Sequence, residues 1–246
     1  MQLGRDLKLL FYKGITHSII GRVVYFCRGP KIRRRPIVIS VNKKYVDYST
    51  IAKIWWGLYE RAEINFVDQF ISGKVDVVEL GASVGVVTGH LAKKLGRGRL
   101  ICVEANELLL DQIERNIVLN NGRARYQIIH GAISDVRETV QFRVDGKNTD
   151  SKLDKSGDHL VKGIFLSDLL KDLEIRRYEL VADIEGAEKF ILASDAQALQ
   201  MCELMIIELH AIGSRSISIC DMSSRIIELG FRMIMRRGSV FVFQRM

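Results

Sequence analysis

Side chains that can take a proton or bind a cation follow two apolar segments in the second half of the chain. Asp183 and Glu185 come directly after the run Tyr178–Ala182, and Glu208 and His210 end a second run. Carboxylates and imidazole can remove a proton from a hydroxyl near neutral pH. The sequence therefore predicts a general base here, Asp183 or His210, with Glu208 beside them.

Two alternatives stay open for these residues. In the first, Asp183, Glu208 and His210 bind a divalent metal that lowers the pKa of a hydroxyl. In the second, Glu208 and His210 only form hydrogen bonds at the ends of strands and helices. One histidine among scattered acids is not a specific metal signature, so the metal-free base is favoured over a metal.

The stretch from 75 to 96 predicts the element that positions a ligand near these groups. Val75–Leu80 is short and mostly β-branched, which is typical of a buried strand. Residues 81–85 are small, and from Val86 the apolar residues recur at helical spacing up to a basic last turn before Gly96. A strand, a tight turn and a helix present bare backbone amides at the carboxyl end of a sheet, as nucleotide-binding units do.

Glu104 refines the ligand class. It ends the next apolar run and stands 23 residues after Gly81, where an acid accepts hydrogen bonds from both hydroxyls of a ribose. A dinucleotide fingerprint needs glycine at its first, third and sixth positions, and here the third and sixth are Ser83 and Val86. With Glu79 two residues before the first glycine, the spacing favours S-adenosylmethionine over NAD.

Four blocks of residues follow one another along the chain. They are Glu79-x-Gly81-Ala82-x-x-Gly85, Glu104-Ala105-Asn106, Asp183-Ile184-Glu185-Gly186-Ala187-Glu188 and Ile207-Glu208-Leu209-His210. In this order they resemble the FkbM-type methyltransferase family, over the region from Tyr48 to the C-terminus. Two positions depart from the family's usual residues: Glu79, where the family often has Asp, and Val181, where it often has Lys.

The resemblance implies a fold and an activity. The fold would be α/β, a Rossmann-like class I methyltransferase with a seven-stranded, mostly parallel sheet, a C-terminal antiparallel hairpin and helices on both faces. We expect that hairpin around Arg237–Ser239. The implied activity is O-methylation of a sugar hydroxyl in a glycan or glycosylated metabolite, with S-adenosylmethionine as cofactor.

The expected cofactor-binding residues come partly from the motif spacing and partly from the resemblance. Ser134 and Asp135 would reach the adenine amino group, although Asp135 reads equally well as a turn residue. Tyr59 and Glu60 would wall the pocket, although periodicity alone makes them a core residue and a solvated acid. The full set is Glu79, Gly81, Ala82, Ser83, Gly85, Glu104, Ala105, Asn106, Ser134, Asp135, Tyr59 and Glu60.

The composition limits the partners. The chain has 246 residues, a net charge of +8 and a basic stretch at 31–35, followed by Lys43 and Lys44. That stretch is either a solvated flank or a site for an acidic glycan, a sugar phosphate or lipid headgroups. No basic groove interleaved with aromatic residues indicates nucleic acid. Four cysteines without metal spacing indicate free thiols in a reducing cytoplasm.

The first 47 residues are predicted to be a basic, amphipathic extension, helical with a short strand, before a methyltransferase domain at 48–246. No apolar run reaches the ~18 residues that span a bilayer, and no signal peptide is seen. A helix that caps the core or pairs with a second copy is favoured over peripheral contact with the inner membrane surface.

Three further predictions concern local structure. One helix is expected over Ile51–Phe70, and a second over Asp168–Leu173 with Ser167 as its N-cap. A third helix is expected over Lys189–Leu199. The polar stretch Asp145–His159 is typical of a lid or substrate loop.

Two rival functions remain on the sequence alone. An NAD-dependent oxidoreductase is disfavoured by the glycine offset and the closing hairpin. A non-catalytic adenosyl-binding or scaffold subunit at a membrane surface fits the basic N-terminus but leaves the acids after the strands unexplained.

Overall fold

A computed structural model describes residues 12–143, 152–153, 157, 159–211 and 218–246. The first eleven residues of the predicted N-terminal extension and most of the predicted loop at 145–159 lie outside the described residues. In chain order the elements are α1 (Ser18–Arg28), β1 (Lys31–Arg34), β2 (Ile37–Ser40), α2 (Tyr48–Trp56), α3 (Arg61–Phe70), β3 (Asp76–Leu80), α4 (Val86–Lys94), β4 (Leu100–Glu104), α5 (Leu110–Asn120), β5 (Tyr126–His130), β6 (Ala132–Ile133), β7 (Thr139–Arg143), β8 (Lys152–Leu153), β9 (His159–Ile164), α6 (Leu166–Asp172), β10 (Tyr178–Ala182), α7 (Glu188–Ser194), β11 (Cys202–Glu208), α8 (Ile219–Glu228), β12 (Phe231–Arg237) and β13 (Val240–Arg245).

The main sheet has seven strands in the order β12-β13-β11-β10-β3-β4-β5. Pairing is parallel from β11 through β10, β3 and β4 to β5, and β13 runs antiparallel to both β11 and β12. The predicted α/β class, with its mostly parallel sheet and closing C-terminal hairpin, is confirmed. The order reverses beside β3, and in such sheets ligands bind at the carboxyl ends of the strands around that point.

Buried side chains alternate between the two faces of the central strands, as the two-residue period of a strand requires. Val77 belongs to an apolar cluster with α4 and α5, whereas its neighbour Val78 belongs to a second cluster with α6, α7 and α8. Cys102 and Cys202 are buried free thiols within these clusters, as predicted from their apolar surroundings. Helices on both faces thus fix the sheet and the strand ends that carry the acids.

A second, four-stranded sheet has the order β6-β9-β7-β8, and its strands follow β5 in the chain. The sequence predicts only β7 of this group, as a strand over 140–144. The chain remains attached to the main sheet as it leaves β5, because the Gly131 backbone N–H donates to the Glu104 carbonyl at 3.0 Å. The small sheet therefore begins beside the carboxyl end of β4.

The N-terminal elements pack onto the rest of the chain. α1 lies against α2 so closely that a Cβ at Gly21 would lie 1.6 Å from the Tyr48 carbonyl oxygen. The backbone of β2 forms hydrogen bonds with the side chains of Asn116 and Asn120 of α5. The domain boundary placed at residue 47 stays a prediction. Within the described ranges, no helix combines the length and apolar character that crossing a membrane requires.

Three predicted helices differ from the observed ones. The expected helix Ile51–Phe70 is two helices, because Gly57 adopts a left-handed conformation and ends α2. The helix expected at Asp168–Leu173 begins earlier, at Leu166, so Ser167 lies inside it and its backbone N–H donates to Asp195. The helix expected at Lys189–Leu199 ends at Ser194 and continues as 3-10 turns.

Candidate active site at the carboxyl ends of the central strands

The turn after β3 has the conformation that its small residues allow. Gly81, Ser83 and Gly85 all have positive φ values, of 82°, 49° and 76°, and Ala82 is buried between them. A Cβ at Gly81 would lie 1.9 Å from the Asp183 carbonyl oxygen, so only glycine fits there. The predicted glycine turn and the predicted catalytic acid are therefore in direct backbone contact.

Glu104 closes the turn from the neighbouring strand. Its Oε2 accepts from the Ser83 backbone N–H at 2.7 Å, and its Oε1 accepts from the Asn106 N–H at 2.8 Å. Burial raises the pKa of Glu104, and these backbone hydrogen bonds oppose the rise. Each carboxylate oxygen can accept a further hydrogen bond, so the residue can still hold the two hydroxyls of a ribose.

Glu79 lies beneath the same turn and is 2 % exposed. Its Oε2 accepts from Thr88 Oγ1 at 2.7 Å and from the Cys102 thiol at 3.2 Å. Its Oε1 has no hydrogen-bond partner among the described residues. Burial raises the pKa of Glu79 to about 7. A buried acceptor with a free oxygen is a feature that a ligand's donor group would satisfy.

The raised pKa of Glu79 predicts a pH-dependent stability. Unfolded Glu79 ionises near its ordinary pKa of 4.5, while the folded residue holds its proton up to about 7. Folding therefore costs nothing at this residue below about pH 4.5, where both states are protonated. As the pH rises from there to about 7, the unfolded state loses its proton first, and the free energy of unfolding falls by about 2–3 kcal/mol. We expect Glu79→Gln to gain stability relative to wild type between about pH 5 and pH 8 by that amount, measured by urea unfolding at both pH values. A constant difference at the two pH values would contradict this assignment.

Tyr59 and Glu60 lie in the break between α2 and α3. The Tyr59 hydroxyl is 3.1 Å from Ser83 Oγ of the glycine turn. Burial raises the pKa of Tyr59, and the neighbouring carboxylate of Glu60 raises it further. Burial and the charge of Asp183 raise the pKa of Glu60 well above its ordinary value. The structure thus places both residues at the site, and their contact with a cofactor stays a prediction.

The remaining predicted cofactor residues directly follow β4 and β6 in the chain. The Ala105 carbonyl oxygen is 3.0 Å from His130 Nε2, and Asn106 caps the following turn through its side chain. Ser134 is buried, with its backbone N–H bonded to the Ile164 carbonyl at 3.2 Å, whereas Asp135 is exposed. Their proposed contact with adenine stays a prediction.

His210 lies among three carboxylates. Its Nδ1 is 3.0 Å from Glu188 Oε1, and its Nε2 is 3.7 Å from Asp183 Oδ1 and 3.6 Å from Glu185 Oε2. Burial lowers the pKa of His210, but the hydrogen bond with Glu188 and the three negative charges outweigh it and raise the pKa to about 9. The imidazole is therefore cationic at neutral pH in this arrangement.

Glu188 is a residue of this candidate site that the sequence did not single out. It is fully buried, and Oε1 also accepts from the backbone N–H groups of Ile184 and Gly186, each at 3.3 Å. These contacts fix the carboxylate, and the carboxylate fixes the orientation of His210. The available signal is its place as the last acid of the block that begins at Asp183.

Asp183 and Glu208 differ in their partners. Asp183 Oδ1 is buried and has no hydrogen-bond partner in the described part of the chain, and burial, with Glu208 nearby, raises the pKa of Asp183 well above its ordinary value. Glu208 Oε1 accepts from Ser239 Oγ at 2.5 Å. Burial, together with a hydrogen bond with Glu208, raises the pKa of the adjacent Glu63 to about 7.

The donor atoms that could share one cation come from Asp183, Glu185 and His210, and they lie within 4.8 Å of one another. The sequence named Glu208 in place of Glu185 for this alternative. In the structure Glu208 is hydrogen-bonded to the hairpin at Ser239, so the alternative metal set is corrected to the three residues above.

Comparisons with known proteins find similar solved structures at low sequence identity. No protein-family model and no curated protein matches the chain. Among solved structures it is similar to magnesium protoporphyrin IX methyltransferase from Synechocystis PCC 6803 with bound SAM, at 9% identity over 80% of this chain and 83% of the other, with a TM-score of 0.47. A methyltransferase from Pyrococcus furiosus gives 15% identity over 98% of both chains and a TM-score of 0.45. A TehB-like SAM-dependent methyltransferase from Corynebacterium glutamicum gives 14% identity over 79% of this chain and 96% of the other, with a TM-score of 0.42.

Proposed function

We propose that the protein is an S-adenosylmethionine-dependent O-methyltransferase whose acceptor is a sugar hydroxyl. The observation that carries the proposal is the backbone contact between the glycine turn at the end of β3 and Asp183 at the end of β10. This contact supports a cofactor-binding role for the turn and a proton-accepting role for Asp183 in one crevice. The sugar itself rests on the resemblance of the sequence motifs to the FkbM-type family.

The residues present fit the cofactor. Gly81 lets the turn approach the end of β10 closely, because a Cβ there would clash with the Asp183 carbonyl oxygen. Glu104 provides acceptors for ribose hydroxyls, and the free Oε1 of Glu79 is a buried acceptor beneath the turn. S-adenosylmethionine, when bound, supplies an activated methyl group on a cationic sulfonium. The surrounding carboxylates favour that charge electrostatically.

Asp183 is the proposed proton acceptor. Its Oδ1, which has no hydrogen-bond partner in the described part of the chain, can accept a hydrogen bond from an acceptor hydroxyl, and its raised pKa makes the carboxylate a stronger base. His210 is cationic and is oriented by Glu188, so its Nε2–H faces Asp183. That N–H can donate a hydrogen bond either to the acceptor's hydroxyl oxygen or to the Asp183 carboxylate, and so hold it in position. The crevice therefore orients the acceptor and removes its proton.

A second version of the chemistry uses a divalent cation. It is favoured by the clustering of Asp183, Glu185 and His210, and by the buried Glu188 on His210 Nδ1, because metal-bound histidines commonly donate to such a carboxylate. We expect EDTA to leave kcat unchanged within about twofold, since a base on the chain suffices. Loss of activity on chelation, restored by Mg²⁺ or Mn²⁺, would replace the metal-free version with this one.

The acceptor class is tested by methyl transfer. Protein incubated with methyl-labelled S-adenosylmethionine and a panel of mono- and oligosaccharides should transfer label to at least one sugar, and transfer should disappear with S-adenosylhomocysteine in excess. Label transferred to protein or RNA but to no sugar would overturn the sugar assignment and keep the methyltransferase. A protein that binds the cofactor yet transfers label to no acceptor would favour the rival non-catalytic subunit.

A further inference from the structure

A cavity lined by arginines lies beside the proposed cofactor site. Its volume is about 290 Å³, and its lining comes from hairpin β1–β2, the end of α2 and the facing sides of α3 and α4. Tyr59 lines this cavity, and the Tyr59 hydroxyl is also 3.1 Å from Ser83 of the glycine turn. A molecule bound in the cavity would therefore extend toward the crevice that holds Asp183.

The lining carries an excess of positive charge. It includes Arg34, Arg35 and Arg61, and none of the three forms an ion pair with a carboxylate within the described ranges. Asp68, the acid among the described lining residues, is already 3.1 Å from His90. Three guanidinium groups against the single carboxylate of Asp68 leave the described lining with an excess of positive charge, which is typical of an anion site.

Of the three cavity arginines, Arg34 also stabilises the fold. Arg34 Nη1 donates to the Trp55 carbonyl at 3.2 Å, at the end of α2. A Cβ at Gly57 would lie 1.9 Å from Arg34 Nη2, so the absence of a side chain at 57 lets this guanidinium lie over the backbone. The side chains of Arg35 and Arg61 have no hydrogen bond in the described part of the chain, which leaves their presence at the cavity unexplained by packing.

An aromatic surface completes the cavity. Trp56 lines it and remains 45 % exposed, although tryptophan ordinarily buries most of its ring. A sugar ring has an apolar face that packs against such a surface. The cavity thus combines a flat aromatic group with three guanidinium groups that form no ion pair among the described residues.

We propose that this cavity binds a phosphorylated sugar, with Arg35 and Arg61 on the phosphoryl group, Arg34 beside them and Trp56 against the sugar ring. Several guanidinium groups suit a phosphoryl dianion, which offers more acceptor oxygens than a single carboxylate. The proposal rests on the proposed function in taking this sugar phosphate as the methyl acceptor. It narrows the acceptor from a sugar to an anionic sugar.

Binding of simple probes to the full chain tests the cavity directly. Calorimetry should show that glucose 6-phosphate binds more tightly than inorganic phosphate, and that glucose gives no measurable heat. Arg35→Gln/Arg61→Gln should weaken both phosphate-containing probes by about 10-fold or more, because each lost contact is charge-assisted. Trp56→Ala should weaken glucose 6-phosphate and leave inorganic phosphate unchanged. The matched control is Arg232→Gln, because Arg232 is an exposed arginine on β12. This substitution should change the affinity for neither glucose 6-phosphate nor inorganic phosphate.

The outcomes separate this proposal from the proposed function. S-adenosylhomocysteine should bind the double variant within about twofold of wild type, since no arginine of the cavity contacts the glycine turn in the described structure. Arginine-dependent sugar phosphate binding without S-adenosylhomocysteine binding would uphold the cavity and reject the methyltransferase. Absence of phosphate binding, an equal loss in Arg232→Gln, or arginine-dependent binding to phosphatidic acid vesicles in preference to glucose 6-phosphate would overturn the sugar phosphate.

Discussion

Replacing Asp183 by asparagine should lower kcat for methyl transfer by about 10²- to 10⁴-fold, the range that a general base contributes. An asparagine amide keeps the shape of the side chain but cannot take a proton from a hydroxyl. The cofactor contacts lie on the neighbouring turn and β4, so S-adenosylhomocysteine affinity should stay within severalfold of wild type. Turnover of labelled cofactor and calorimetry on the same preparation measure the two quantities.

A matched control for this variant is Asp172→Asn, because Asp172 is an exposed acid near the end of α6. It should keep wild-type kcat and wild-type affinity. The substitution should also leave the protein at least as stable, since partial burial raises the pKa of Asp183 and disfavours the charged form. Asp183→Asn with half or more of the wild-type kcat would exclude Asp183 as the base.

Replacing Glu104 by alanine should act on binding first and weaken S-adenosylhomocysteine by about 10²-fold, the size expected for two charge-assisted hydrogen bonds. The same change releases the Ser83 and Asn106 backbone N–H groups that Glu104 now holds at 2.7 and 2.8 Å. The glycine turn therefore loses both its ligand contact and its support. At saturating cofactor, kcat should fall much less than the affinity.

The control for Glu104 is Glu107→Gln, three residues along and exposed. Thermal unfolding of both variants separates loss of folding from loss of binding. A folded Glu104→Ala protein with intact affinity for S-adenosylhomocysteine would exclude Glu104 from the cofactor site. An equal loss of affinity in both variants would also contradict the role given to Glu104, since Glu107 is exposed and forms no hydrogen bond with the glycine turn among the described residues.

The fold could be predicted from local patterns because, in its central elements, the preferences of neighbouring residues agree with the structure that the chain adopts. The β-branched run before Gly81, the positive-φ glycines and the helical spacing from Val86 all specify one strand, turn and helix. The closing hairpin is specified in the same way by Gly238, which has a φ of 64° at the turn. The strand ends then place the acids together, because parallel strands share one carboxyl edge.

Features that depend on distant contacts could not be predicted. Apolar spacing continues on both sides of Gly57, which hides the break that brings Tyr59 to the glycine turn. Glu188 and His210 are 22 residues apart and meet only once β10 and β11 are paired. The arginine cavity likewise depends on hairpin β1–β2 folding against α3, which composition alone does not reveal.

The measurement that tests the central claim most directly is calorimetric titration of the purified protein with S-adenosylhomocysteine and, separately, with NADH. The glycine offset, Glu104 and the antiparallel closing strand predict saturable binding of S-adenosylhomocysteine with one site per chain and no measurable binding of NADH. Binding of NADH, or no binding of S-adenosylhomocysteine by folded protein, would contradict the proposed function.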